Sequence, residues 1–199
     1  MPKTGLRSWE IKEKAIDVTI DRMRQYGFEK VRLVDVAKEL DVSHVALYSH
    51  FRDKAALLDA VSERWLIAID RDLEAICRKS AEPSEKIHAW MVSLHRAKIA
   101  KVKNDPELYK AFIFSTEIEK PFISKHMDTM HAQLSGLVRE AIATKRLKNA
   151  DPELMASIIF ESMMAFNHPK LVAQYLEVER EKLLHQVLDN VLRGLKIQS

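Results

Sequence analysis

At 199 residues, with 32 Lys/Arg against 29 Asp/Glu and a formal net charge of +3, the chain is long enough to bury a substantial core, and its overall charge does not by itself identify a polyanion partner. Four Gly and six Pro against 47% apolar residues predict helices throughout. The single cysteine, Cys77, excludes an intrachain disulfide framework; with no charged-then-apolar leader and no long apolar run, the chain is expected to be cytoplasmic, neither secreted nor membrane-spanning.

The first helix is predicted to start with Ser8 as its cap and Trp9-Glu10-Ile11 as its first turn. Ala15, Ile16, Thr19, Met23 and Tyr26 then recur at helical steps until Gly27 ends the run. Ahead of it, Lys3 and Arg7 form either an arm near phosphates or a free tail. Residues 1–60 hold 11 Lys/Arg and 10 Asp/Glu, so the position of Lys12, Lys14, Arg32, Arg52 and Lys54, rather than net charge, has to identify a nucleic-acid face.

Val34 to Phe51 carries the most specific signal. Val36, Ala37 and Leu40 share one helical face, and Val45, Leu47, Tyr48 and Phe51 close a second. Between them lies Asp41-Val42-Ser43. Aspartate tolerates a left-handed backbone and serine is a strong N-cap, so one helix can stop and the next restart within a three- to four-residue turn. This is a helix-turn-helix pattern. An ordinary pair of packed helices is the alternative, and the flanking order decides against it: Gly27-Phe28 closes a long helix before the motif, and Asp53-Lys54-Ala55-Ala56-Leu57-Leu58 opens another directly after it.

The order from about Ser8 to Val61 resembles the DNA-binding domain of the TetR (tetracycline-repressor) family. The resemblance rests on Gly27, Val34-Asp35-Val36-Ala37, Val42-Ser43, Leu47-Tyr48, His50-Phe51, Lys54 and Leu57-Leu58. Two positions depart from that family: Arg32 replaces a threonine that caps the first motif helix and touches phosphate, and Asp41 replaces a glycine. Arg32 then reaches phosphate as a charge rather than as a cap, and Asp41 strains the turn slightly. The resemblance implies a non-enzymatic regulator that binds a palindromic operator in double-stranded DNA as a homodimer, most often as a repressor. The expected division is residues 1–55 as the DNA-binding domain and 56–199 as a ligand-sensing and dimerisation domain, joined by a helix over 53–80.

Within the motif, Ser43, His44, Val45 and Ser49 are the expected base contacts. Tyr48, His50, Arg32 and Lys54 are placed nearer the backbone. Val45 and Ala46 suit thymine methyls, and His44 suits a purine edge equally well. Lys54 also lies at a helix N-terminus, where the dipole favours a phosphate oxygen.

Beyond the motif, helix starts are punctuated at Glu82-Pro83, Asp105-Pro106, Lys120-Pro121 and Asp151-Pro152, and a stop is expected at Asn167-His168-Pro169. The prediction is an all-α chain of about nine helices. The eighth carries Met155, Ile158, Ile159 and Ser162, and the ninth carries Leu184, Val187, Leu188, Val191 and Leu195. By the family resemblance these two stripes form a four-helix dimer interface; burial within one subunit is the alternative.

The same resemblance implies an effector cavity among helices four to eight. Its candidate lining is Trp65, Ile69, Trp90, Met91, Leu94, His95, Phe112, Phe114, Met127, Met130, Phe160, Met163 and Met164, a set that equally suits a solid core. Histidines supply the remaining distinctive chemistry. A cluster of His95, His126 and His168, with Glu117, Glu119 or Glu161 as an oxygen ligand, would suit Zn²⁺ or a similar divalent cation, although no close-spaced His motif supports it. No other cofactor is expected. A glycine-rich phosphate loop, a nucleophile elbow and a paired-Cys motif are all absent, so no catalytic residue is assigned; a helical adaptor or a helical cytosolic enzyme are the readings from other classes.

Overall fold

The computed structural model describes residues 7–196, and among these every regular element is helical. Eleven α-helices occur in place of the nine expected: α1 Ser8–Tyr26, α2 Leu33–Glu39, α3 His44–Tyr48, α4 Lys54–Cys77, α5 Pro83–Asn104, α6 Pro106–Ser115, α7 Pro121–Ala143, α8 Pro152–Ser162, α9 Met164–Asn167, α10 Pro169–Gln174 and α11 Glu181–Leu195. A 3-10 turn, η1, spans Phe28–Lys30. None of the described helices is long and apolar enough to cross a membrane.

The expected proline punctuation appears as helix starts. Pro83, Pro106, Pro121 and Pro152 each occupy a first helical position, where the missing N–H would have had no intrahelical partner. Other starts differ. Arg7, not Ser8, precedes α1, and the Glu10 carboxylate reaches back to the Arg7 N–H at 2.8 Å. The connecting helix ends at Cys77 rather than near Ser80.

The eighth helix, expected to run unbroken to Asn167, is interrupted at Met163. The Ser162 hydroxyl donates to the Ile158 carbonyl at 2.6 Å, a back-bond that bends helices, and α9 restarts one residue later. The unexpected α10 follows, opened by Pro169.

Contacts divide the chain into two units, with the boundary inside α4. One takes the chain up to Trp65 together with Asn104–Lys120; the other takes Leu66–Lys103 and the chain from Pro121 onward. Grouped by contacts, α6 goes with the head although it follows residue 55 in the chain.

The reason is visible at α6's first turn. Arg24 grips Asp105 through Nε (2.7 Å) and Nη2 (3.1 Å), and the Phe28 N–H donates to Glu107 Oε2 at 3.0 Å. Leu108 and Ala111 complete the head's core with Ile11, Ala15, Met23, Val36, Leu47, Phe51 and Leu57. Gly27 is required at this junction. Its φ of 86° suits glycine, and a Cβ there would lie 3.2 Å from Glu107 Oε2.

In the second unit α7 and α8 pack against each other and α11 packs on α8. Trp90, Met91, Leu94, Met130, Leu134, Ile159, Leu184 and Leu188 are fully buried there.

Candidate nucleic-acid interface

The helix-turn-helix is closed by local bonds. The Asp41 N–H donates to the Lys38 carbonyl at 3.2 Å and the Val42 N–H to the Ala37 carbonyl at 3.0 Å, ending α2. Asp41 takes the left-handed backbone with φ of 50°, a conformation aspartate accepts at modest cost. Ser43 then caps α3, its Oγ accepting the Ala46 N–H at 3.1 Å.

Leu47 and Phe51, one helical turn apart, point into the head's core. That fixes the opposite face outward, and Ser43, His44, Val45, Tyr48 and Ser49 are all exposed, Val45 by 81% and Tyr48 by 48%. An exposed valine on a short helix anchored only from behind suits contact with a methyl group. Ala46 and His50 are half-buried, and His50 Nε2 lies 3.3 Å from Ser8 Oγ, so that ring steadies α1 against the motif.

The cations framing this face are already engaged. Arg32 precedes α2 without capping it; instead its Nε and Nη2 meet the two oxygens of Asp35 at 2.7 and 2.9 Å. The hydrogen bonds from Arg32 hold the Asp35 carboxyl below its usual range. Solvent screens an exposed pair of this kind, so a phosphate oxygen can replace Asp35. Arg7 is paired with Glu10 and stacks over Trp9 at 4.6 Å. Lys3 lies outside the described residues.

Asp53 caps α4, its Oδ1 accepting the Ala56 N–H at 2.7 Å. Lys54 follows, but its ammonium turns back onto the Glu29 carbonyl of η1, and burial lowers its pKa. A phosphate contact therefore has to draw it off that carbonyl.

The expected effector lining is divided between the two units. Trp65 and Phe112 lie in the first unit, packed edge to face at 4.9 Å, with Tyr109 at 5.8 Å from Trp65. Phe114, also in the first unit, and Met127 are exposed, and Phe160 and Met164 are half-buried. Ile69, Trp90, Met91, Leu94, His95, Met130 and Met163 are buried in the second unit.

Through that buried set runs a polar chain whose two middle members were not anticipated. Trp90 Nε1 donates to Gln133 at 3.0 Å, Gln133 Nε2 to the Asp70 carbonyl at 2.9 Å, and Asp70 Oδ1 lies 2.6 Å from His126 Nδ1. Gln133 sits at helical spacing beside Met130, Leu134 and Leu137, which is the signal that could have found it.

The histidine cluster does not form. His95 Nδ1 meets the Phe166 carbonyl at 2.8 Å, and since a carbonyl only accepts, that nitrogen carries the proton. His126 is committed to Asp70, and His168, Glu117, Glu119 and Glu161 are exposed. Among the described residues no group of three or more His, Cys, Asp or Glu side chains is placed to hold a metal ion.

His95 instead shares a structural task. Ala165, Phe166 and Asn167 end α9, and their carbonyls receive Arg180, His95 and Lys98 respectively. Helix-end carbonyls lack intrahelical donors, so three side chains supply them. Burial lowers the pKa of His95 and pushes the Lys98 ammonium down to about 8.

Of the expected dimer stripe, Met155, Ile159, Leu184, Leu188 and Leu195 are buried within the single subunit. Ser162, Val187 and Val191 are half-buried, and Ile158 is exposed together with Leu154 (59%) and Leu183 (47%). The outer edge of the two helices, not the centre of the stripe, is what remains for a partner.

Residues 15–61 match the bacterial regulatory proteins of the tetR family, and residues 83–188 match a tetracyclin repressor-like C-terminal domain. The HTH-type transcriptional repressor KstR of Mycolicibacterium smegmatis is 26% identical over 127 residues, an alignment spanning 62% of this chain and 62% of that protein. SmeT, the repressor of the Stenotrophomonas maltophilia multidrug efflux pump SmeDEF, is similar with a TM-score of 0.66 at 17% identity, covering 94% of this chain and 91% of that one. FadR of Bacillus subtilis, solved in complex with stearoyl-CoA, gives a TM-score of 0.63 at 16% identity over 92% of this chain and 98% of that one. At such identities the structural likeness speaks for the fold alone.

Proposed function

Because this chain belongs to the TetR family of bacterial regulatory proteins, we propose that it is a cytoplasmic, homodimeric transcriptional repressor whose hold on a palindromic operator is released by a small effector. The observation carrying this reading is the outward face of α3. Leu47 is fully buried beneath it while Ser43, His44, Val45, Tyr48 and Ser49 face solvent, as a helix entering the major groove requires.

In this reading Ser43, His44, Val45 and Ser49 read base edges. Arg32, Tyr48, His50 and Lys54 hold the backbone and set the salt dependence. Two copies of α3 about 34–36 Å apart read the two half-sites of one palindrome. The exposed apolar residues Leu154, Ile158 and Leu183 support pairing of α8 and α11 with their copies.

The effector is an apolar molecule entering the second unit among Trp90, Met91, Leu94 and Met130. The side-chain character of that interior supports this, as does stearoyl-CoA in the structure of FadR. It releases DNA by binding the DNA-free state more tightly. Each tenfold loss of operator affinity needs about 1.4 kcal/mol of such coupling. No catalytic turnover belongs to this function.

Selection of random duplexes on the purified protein tests the proposal. A palindromic consensus is the expected result, and an absence of enrichment even at low salt would overturn it.

A further inference from the structure

The first unit holds a cavity of about 420 Å³ that shares only Lys54 with the residues assigned to DNA and lies apart from the proposed effector site in the second unit. Phe28 and Glu29 of η1, Lys54, Ala55 and Leu58 of α4, and Phe114 of α6 line it. Its volume lies within the range of about 300–1,000 Å³ typical of small-molecule sites.

Two features of the wall belong together. Phe114 is 50% exposed, although Tyr109 and Phe112 on the same helix are buried. Lys54 is the one cation of the lining, and its ammonium has only the Glu29 carbonyl as hydrogen-bond partner among the described residues. A partly buried ammonium satisfied by a neutral carbonyl gains more from a carboxylate, because charge-assisted bonds are roughly twice as strong as those between neutral partners. Glu29 also lines the cavity and acts on Lys54 as a nearby negative charge, which opposes a phosphate dianion more than a single carboxylate.

We infer that this cavity binds an amphipathic monocarboxylate, an aryl or short alkyl acid, with its apolar body against Phe28, Leu58 and Phe114 and its carboxylate on Lys54 Nζ. Because Lys54 is also a phosphate anchor in the proposed function, bound acid and DNA compete for one ammonium. This release route lies wholly within the first unit. The competition rests on the DNA-binding reading; the acid site does not.

The test uses the full chain with 4-phenylbutyrate as probe and the neutral 4-phenylbutan-1-ol as its control, titrated calorimetrically. The acid is expected to bind one per chain, and the alcohol, Lys54→Met and Phe114→Ser are each expected to weaken binding by roughly tenfold or more. Thermal melting confirms that both variants fold. No binding of the acid, equal binding of acid and alcohol, or binding indifferent to both substitutions would each overturn the site. In a second arm, fluorescence anisotropy of a random duplex at low salt should show the acid raising the DNA dissociation constant for wild type but not for Lys54→Met. Acid binding without that effect would refute the competition alone, while failure to bind DNA at all would refute the regulator reading and leave the acid site standing.

Discussion

Arg32 in the first unit and Lys98 in the second are both cations, and their surroundings give them opposite tasks. The Arg32 side chain is 71% exposed and clasps Asp35, a partner that solvent or a phosphate can replace. Lys98 is 6% exposed and caps the Asn167 carbonyl, where removing its partner would strand a buried charge. The same contrast recurs at other residues. Around the recognition helix, Arg7, Arg22 and Arg32 sit in ion pairs near solvent; in the second unit His95, Lys98 and His126 are buried and hold backbone or a neighbouring carboxylate. Arg32 is thus available for binding, whereas Lys98 maintains the fold; burial and not the unit decides, since Arg24 in the first unit ties Asp105 into the head's fold. The proposed function needs both, because a reading head must exchange partners and a sensing unit must hold its shape until an effector arrives.

The comparison breaks most visibly at the exception inside the head. Leu47→Ala removes the anchor beneath the reading face and should cost about 2–5 kcal/mol in urea denaturation, with DNA binding lost alongside stability. A small loss of stability would mean that α3 is not positioned by its core contact.

His126→Ala leaves Asp70 without its ring partner and should destabilise by about 1–3 kcal/mol. The same variant should retain its operator preference, so a changed consensus with unchanged stability would contradict the division of tasks. His44→Ala should do the reverse. Its stability is expected to stay within about 0.5 kcal/mol of wild type, while discrimination at one operator position falls by about 1–3 kcal/mol in competition assays.

Arg32→Ala should weaken binding on all sequences alike and reduce the slope of log affinity against log salt by about 1. A selective loss on one sequence would promote Arg32 from anchor to reader.

A further expected effect comes from pH. Folding holds Lys98 near 8 against an ordinary 10.5, so between those values the unfolded chain keeps a proton that the folded chain has shed. The penalty on the charged form is present in full below pH 8 and is relieved as pH rises through that window. Lys98's contribution to stability therefore rises from pH 8 towards 10.5, and Lys98→Met should flatten that part of the denaturation profile.

The turn of the motif and the proline-marked corners were readable because each is a local event. Asp41 supplies the left-handed residue, Ser43 supplies the cap, and Pro83, Pro106, Pro121 and Pro152 can only start a helix. The placement of α6 was not readable. Arg24 and Asp105 look like two unrelated surface charges until the fold brings them to 2.7 Å. The break at Met163 has no glycine or proline to announce it; only the Ser162 back-bond does. Histidines invited a metal reading because spacing cannot tell a ligand cluster from separate hydrogen bonds such as those of His95 to the Phe166 carbonyl and His126 to Asp70.

What the sequence determined by itself is what short-range sterics and helical periodicity control: an all-helical chain, a helix-turn-helix at Val34 to Phe51, and the residues of its outward face. Tertiary structure alone decided which side of the α8 and α11 stripes is left for a partner, which aromatic residues share a unit, and whether a cation is available or enclosed. Those outcomes depend on which distant surfaces meet. Burial, which sets whether a charge can exchange its partner, is a property of that meeting and not of any one stretch of chain.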